Sequence, residues 1–275
     1  MRRGESFEIE CWTYLTNKYG SDLLNFIHHD TSDSTGSDIE VVIKGRSKFF
    51  IEAKDSQAQS GQFVLMPDEE NRVFIFSSLN KSESNTITDI IIEYMNLNFD
   101  KFNNAGTAGE SINLDSRFFD KWIIGYYKNK GVRFVISKHK NMVILPIEKF
   151  AEYFNISATY RIKKSGSGDP AKKDINKLIA ILSNRFGVSS RDINIVDKKV
   201  FVNINDGIDN NRFCEGKYTY YLSKTEINNT YRLKRLSNTR NMTVIFSIEI
   251  MLDQQPEDLE FFESVLLAES SKNFI

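Results

Sequence analysis

The chain has 275 residues, 40% hydrophobic and 27% charged, with a formal net charge of −1 at pH 7. That composition fits a folded globular protein, either one large domain or a core plus a smaller one. No apolar run approaches the roughly 20 residues that span a bilayer, the acidic, amphipathic start MRRGESFEIECW is no secretory signal, and Cys11, Cys214, His28, His29 and His139 give neither a disulfide framework nor zinc-ligand spacing.

In chain order, ESFEIECWTYLTNKY (5–19) reads as a helix, with Phe7, Cys11, Tyr14 and Leu15 forming an apolar stripe and Glu8 beside it. A polar, turn-rich stretch follows. Then SDIEVVIKGRSKFFIEAK (37–54) reads as a β-hairpin turning at KGRS, with Ile39, Val41 and Ile43 on one face and Asp38, Glu40 and Val42 on the other. On the return strand Phe49, Ile51 and Ala53 share a face, which leaves Glu52 and Lys54 together opposite, and the antiparallel partner can bring Asp38 to them. A glutamine-rich loop, DSQAQSGQ, comes next. RVFIFSS (72–78) is expected as a short buried strand, TITDIIIEYMNLNF (86–99) as a helix behind the sheet, and 103–111 as a flexible connection. KWIIGYY and VRFVIS read as two strands joined by KNKG, and IEKFAEYF as a short helix.

The clearest break is ATYRIKKSGSGDPAKK (158–173), which passes from strand-like alternation through a basic Gly/Ser tip to Asp-Pro. A helix, KDINKLIAILSNRF, begins there. Strand-like NIVDKKVFVNI, YTYYLS and MTVIFSIEIML follow, and the acidic PEDLEFFESVLLAES closes as an amphipathic helix. The expected organisation is a core over 1–168 and a C-terminal α/β extension over 169–275 for recognition or dimerisation; the alternative is that the later segments pack onto the same sheet. Charge is distributed unevenly along the chain. Residues 159–240 carry seventeen Lys and Arg against eight Asp and Glu, a net of +9; residues 241–275 are −6 and residues 1–158 are −4. Such a basic region suits nucleic acid, though solvated basic surfaces are common.

The constellation that carries chemistry is Asp38, thirteen intervening residues, then Glu52-Ala53-Lys54. Metal-assisted phosphodiester cleavage needs a hard cation on oxygen ligands, which Asp38, Glu52 and the Ala53 carbonyl can supply to Mg²⁺. Lys54 would orient or help deprotonate the attacking water and offset developing charge. If its helix leans over the sheet, Glu8 would position Lys54 or a second ion, and Gln62 could hydrogen-bond the lysine, the water or the phosphate. An E-x-K pair alone also makes an ordinary exposed ion pair worth under about 1 kcal/mol. The helix, the hairpin, the facing carboxylate and the following loop favour a working site. Asp30 and Asp33 are alternative ligands, but neither begins an alternating strand. Arg161, Lys163, Lys164, Ser165 and Ser167, at the basic tip, read either as a phosphate-contacting clamp or as a solvated linker. YTYYL (218–222) could stack on bases or pack into a core. Adjacent His28 and His29 cannot readily face one ion, and GTAG (106–109) lacks the lysine and spacing of a phosphate-binding loop.

With GSDIEVVI, FFIEAK, the upstream helix GESFEIECW and the trailing AQSGQFVL, the first 160 or so residues resemble the PD-(D/E)XK nuclease superfamily, type II restriction endonucleases in particular. Gly36-Ser37 stands where the name-giving proline would precede the aspartate. The resemblance implies a restriction-endonuclease-like α/β (α+β) fold, a central mixed β-sheet flanked by helices. It further implies Mg²⁺-dependent, sequence-specific cleavage of double-stranded DNA to 5′-phosphate and 3′-hydroxyl ends. A homodimer, a separate cognate DNA methyltransferase and a cytoplasmic, prokaryotic setting belong to the same expectation. The competing readings are a repair or junction-resolving nuclease and a catalytically silent DNA-binding scaffold on the same fold.

Overall fold

The structure, a computed structural model, describes residues 3–29, 37–164, 167–197, 199–204, 208–236 and 240–271. It divides into two compact units: residues 1–162 with 242–275, and residues 163–241. The first unit opens with α1 (Arg3–Tyr19), β1 (Leu24–His28), β2 (Ile39–Ile43), β3 (Arg46–Ala53), β4 (Gln57–Asp68) and β5 (Val73–Phe76). It continues with α2 (Thr86–Leu97), α3 (Phe99–Asn103), β6 (Glu110–Ser111), α4 (Ser116–Asn129), β7 (Val132–Lys138), β8 (Met142–Pro146) and α5 (Phe150–Tyr153). β9 (Phe154–Lys164) then leads into the second unit.

Two five-stranded sheets build the first unit. One runs β1-β2-β3-β7-β8, antiparallel except for the parallel β3–β7 pair. The expected hairpin is β2–β3, with Ile39 opposite Ile51 and Val41 opposite Phe49. Lys44 and Gly45 turn it with φ of 51° and 72°, the positive dihedrals that match a tight hairpin to strand twist. Strand alternation sends Ile39, Val41, Ile43, Phe49, Ile51 and Ala53 into a core shared with Phe7, Cys11 and Leu15 of α1. The opposite face of this sheet contributes Val132, Val135, Val143 and Leu145 to a larger core with α2, α4 and the second sheet.

That second sheet follows after the second unit, when β15 (Arg240–Ile250) returns to lie between β4 and β9 in the order β5-β4-β15-β9-β6. α7 (Pro256–Ser271) then buries Phe262, Val265 and Leu266 against the first sheet. Tyr153 donates to Asp258 Oδ2 at 2.5 Å, Lys149 pairs with Asp258 Oδ1 at 2.7 Å, and Tyr19 donates to Glu263 at 3.0 Å. The acidic tail is therefore part of the first unit, not of an extension running from residue 169 to the end, and the break falls at 162/163 instead of 168.

The second unit holds α6 (Ile175–Phe186) against a sheet of β10 (Ile193–Val196), β11 (Lys199–Asn203), β12 (Arg212–Glu215), β13 (Tyr218–Lys224) and β14 (Thr230–Arg235), in the order β10-β11-β14-β13-β12. Leu178 and Leu182 of α6 meet Val200, Val202, Tyr220, Leu222, Tyr231 and Leu233 from alternate strand positions. Of the YTYYL run, Tyr220 and Leu222 thus serve this core. Among the described residues no helix is long and apolar enough to cross a membrane.

Two element expectations are corrected. KWIIGYY is not a strand but the middle of α4, which Asp115 caps by accepting from the Arg117 N–H at 3.0 Å. Phe119, Trp122, Ile123 and Tyr127 bury one helical stripe. The glutamine-rich segment after Lys54 is not a loop but the start of β4, paired with β15 through Gln57–Glu249, Gln59–Ser247 and Gln62–Ile245. The expected strand at 72–78 is the shorter β5, where only Phe74 is fully buried.

Candidate active site

Lys54 follows directly on β3 at its carboxyl end, where the parallel neighbour β7 fixes the backbone from one side. The Lys54 N–H donates to Ile136 O at 2.9 Å and Ser137 Oγ donates to Lys54 O at 2.6 Å. The antiparallel neighbour β2 starts one residue after Asp38, whose Oδ2 accepts the Ala53 N–H at 2.9 Å. Asp38 thus ties the strand end at Ala53. The structure brings together Asp38, Glu52 and Lys54: Lys54 Nζ donates to Glu52 Oε1 at 2.6 Å, with Asp38 and Glu52 only 6% and 5% exposed.

Burial pushes the Asp38 carboxyl above the usual carboxylate range, as does the nearby Glu8 charge, while Lys54 and the Ala53 N–H pull against them. Glu52 is likewise raised by burial and by Asp38, with Lys54 opposing. Burial, the largest single influence, would lower Lys54, but Glu52, Tyr127 and Asp38 together outweigh it and hold the ammonium well above its ordinary value. Two buried carboxylates whose charges repel, met by one lysine, are poised to accept a further cation.

Three buried side-chain polar atoms among the described residues have no hydrogen-bond partner: Glu52 Oε2, Ser37 Oγ and His28 Nε2. Glu52 belongs to the cluster and Ser37 adjoins Asp38 in the chain. His28 Nε2 is 3.6 Å from Glu8 Oε2. Unsatisfied buried atoms are rare in folded chains and call for water, an ion or a substrate oxygen. The donor set therefore fits a hard divalent cation: two carboxylates, one with a spare buried oxygen, plus a backbone carbonyl. No trio of His, Cys, Asp and Glu among the described residues is arranged as a protein-only metal cage. Such a site leaves the remaining positions to water and substrate, as magnesium sites usually do.

α1 does lean over this sheet, with Trp12 Nε1 donating to Phe26 O at 2.9 Å. That places Glu8 near enough to raise Asp38. Gln62 stands exposed on β4 opposite Ile245. Two nearby residues went unrecognised in the sequence. Tyr127, on α4, has its ring centroid 5.7 Å from Lys54 Nζ, and its hydroxyl shares a 3.0 Å hydrogen bond with buried Ser60 Oγ of β4. The strand reading of KWIIGYY hid the first, and the loop reading of AQSGQ hid the second.

One solved structure, HhaI endonuclease in complex with DNA, matches with a TM-score of 0.82 and 35% sequence identity, over 98% of this chain and 100% of that one. The chain belongs to the HhaI endonuclease family. Its mixed α/β architecture is a restriction-endonuclease fold, and the family likeness extends across both compact units and the returning tail. No family model and no curated protein matches the chain.

The remaining candidate residues lie around the point where β9 leaves the first unit. Arg161 is half-buried near the end of the first unit, and Lys163 opens the second. Ser167 Oγ accepts from the Tyr221 hydroxyl at 2.7 Å, and beside it Asp169 pairs with Arg232 at 2.7 Å. Ser165 and the Lys164 side chain, like the alternative ligands Asp30 and Asp33, lie outside the described residues.

On the second sheet, Gln57 and Gln59 of β4, Ser247 and Glu249 of β15, and Asn155 and Ser157 of β9 line an open cavity of about 420 Å³. Gln57 Nε2 donates to Glu249 Oε1 at 2.7 Å. Gln57 is three residues past Lys54, so this polar face continues from the charged cluster along the chain.

Proposed function

We propose that the chain is a sequence-specific double-stranded DNA endonuclease of the type II restriction kind, with a PD-(D/E)XK active site. The observation that carries this reading is the buried Asp38–Glu52–Lys54 cluster, with the spare Glu52 Oε2, in a chain of the HhaI endonuclease family. Asp38, Glu52 and the Ala53 carbonyl hold Mg²⁺. When bound, that ion supplies acidification of a water and charge stabilisation at the phosphate. Lys54 orients the attacking water and offsets negative charge on the phosphate oxygens. Glu8 sets the charge around Asp38, and hydrolysis leaves a 5′-phosphate and a 3′-hydroxyl.

The polar cavity face supports the sequence-specific part of the reading. Amide, hydroxyl and carboxylate groups offer the mixed donors and acceptors that base-edge readout uses. Arg161, Lys163 and Lys164, with Ser165, Ser167 and Gln62, supply contacts to phosphate oxygens that position the duplex. Two copies of the chain on a palindromic site and a separately acting cognate methyltransferase complete the reading.

The test is digestion of long unmethylated duplex DNA with Mg²⁺, comparing wild type with Lys54→Ala. Discrete fragments from the wild type alone are expected. A smear would replace restriction with a nonspecific or repair nuclease, and no cleavage with Mg²⁺ or Mn²⁺ would favour the DNA-binding scaffold.

A further inference from the structure

Lys54 reaches the site through four rotatable side-chain bonds, so its backbone does not decide where the ammonium stands. Glu52 Oε1 holds it at 2.6 Å. The Tyr127 ring centroid at 5.7 Å lies within cation–π range. Tyr127 is itself immobilised. It is 2% exposed, its hydroxyl bonds to Ser60 Oγ at 3.0 Å, and its ring sits 5.3 Å from Tyr126 and 6.4 Å from Phe150. Ser60 is wholly buried and adjoins the irregularity in β4, where Gly61 takes φ 93° and the register with β15 shifts between Ile245 and Ser247.

The two holding groups differ physically. Glu52 is an anion whose attraction for Lys54 weakens once another cation shares the carboxylate. The ring face is neutral, is withdrawn from solvent, and is not titrated away by a competing cation. We propose that Tyr127, locked by Ser60, is a positioning residue that keeps the Lys54 ammonium at the Asp38–Glu52 site while Glu52 is engaged elsewhere, an inference that rests on the nuclease reading above. Three elements then set one lysine: it follows directly on β3, α4 supplies the ring, and β4 fixes the ring.

Two measurements test this independently. NMR of ε-¹³C-labelled lysine, with the Lys54 signal assigned by its loss in Lys54→Ala, reads the ring directly. Wild type should show a Lys54 ε-methylene displaced from the free-lysine position. Tyr127→Leu should return it, and Tyr127→Phe and Ser60→Ala, which remove the same hydrogen bond, should each move it part-way. Kinetics supply the second arm. Tyr127→Leu should lower kcat by at least about tenfold with duplex affinity in Ca²⁺ unchanged. Tyr127→Phe should retain turnover within about threefold.

A Lys54 signal unmoved in both Tyr127→Leu and Ser60→Ala would overturn the proposal. So would a turnover loss that tracks duplex affinity. Should Tyr127→Leu not fold, the Ser60→Ala shift decides. Should the wild type cut no DNA, the nuclease reading falls while the NMR arm still decides where Tyr127 holds Lys54.

Discussion

Glu52 gives one oxygen to Lys54 and keeps the other buried without a partner, a condition that costs stability in the unliganded fold. Glycine positions show the same tension between shape and chain preference. At Gly61, φ is 93° and an added Cβ would stand 2.5 Å from Trp122 Cζ3. Gly61→Ala should therefore destabilise the fold by about 1–3 kcal/mol, from dihedral strain and overpacking together. Gly125, in the middle of α4, has nothing within 4 Å of its would-be Cβ and an ordinary helical φ. Gly125→Ala should instead stabilise by about 0.5–1 kcal/mol. Urea unfolding of both variants checks the contrast, and equal effects of the same sign would contradict it.

At the scale of elements, sequence was most informative where pairing is local. The β2–β3 hairpin turns within two residues, so Asp38, Glu52 and Lys54 could be brought together from alternation alone. Glu8 was legible for a related reason, since α1 carries a clear apolar stripe. β4 was not legible, because its partner β15 lies some 180 residues later and its own Gln, Ser and Gly residues have low strand preference. Tertiary pairing supplies what local chemistry does not. α4 was missed because Gly125 and a seven-residue apolar window conceal a fourteen-residue helix whose cap lies upstream at Asp115. Both misses removed residues from the site, Ser60 and Tyr127, while leaving its charged centre intact.

At the scale of the molecule, the charge imbalance coincides with the architecture. The net +9 of residues 159–240 falls almost entirely within the second unit, and the acidic α7 belongs to the first. The expected division misplaces the tail for a topological reason: the chain leaves the first unit through β9 and returns to it through β15, at the point where the net charge changes sign. If the basic segment touches phosphates, Arg161, Lys163 and Lys164 replaced together by alanine should flatten the salt dependence of duplex binding. The slope of log K against log[salt] should fall by roughly 0.9 for each phosphate no longer neutralised. An unchanged slope would remove these residues from the interface. The central claim, however, concerns the buried carboxylates. Calorimetric titration of Mg²⁺ or Mn²⁺ into the protein with duplex DNA present tests it most directly. The account predicts binding by the wild type that Asp38→Ala abolishes while circular dichroism remains native. Absence of binding by the wild type, or undiminished binding by Asp38→Ala, would contradict it.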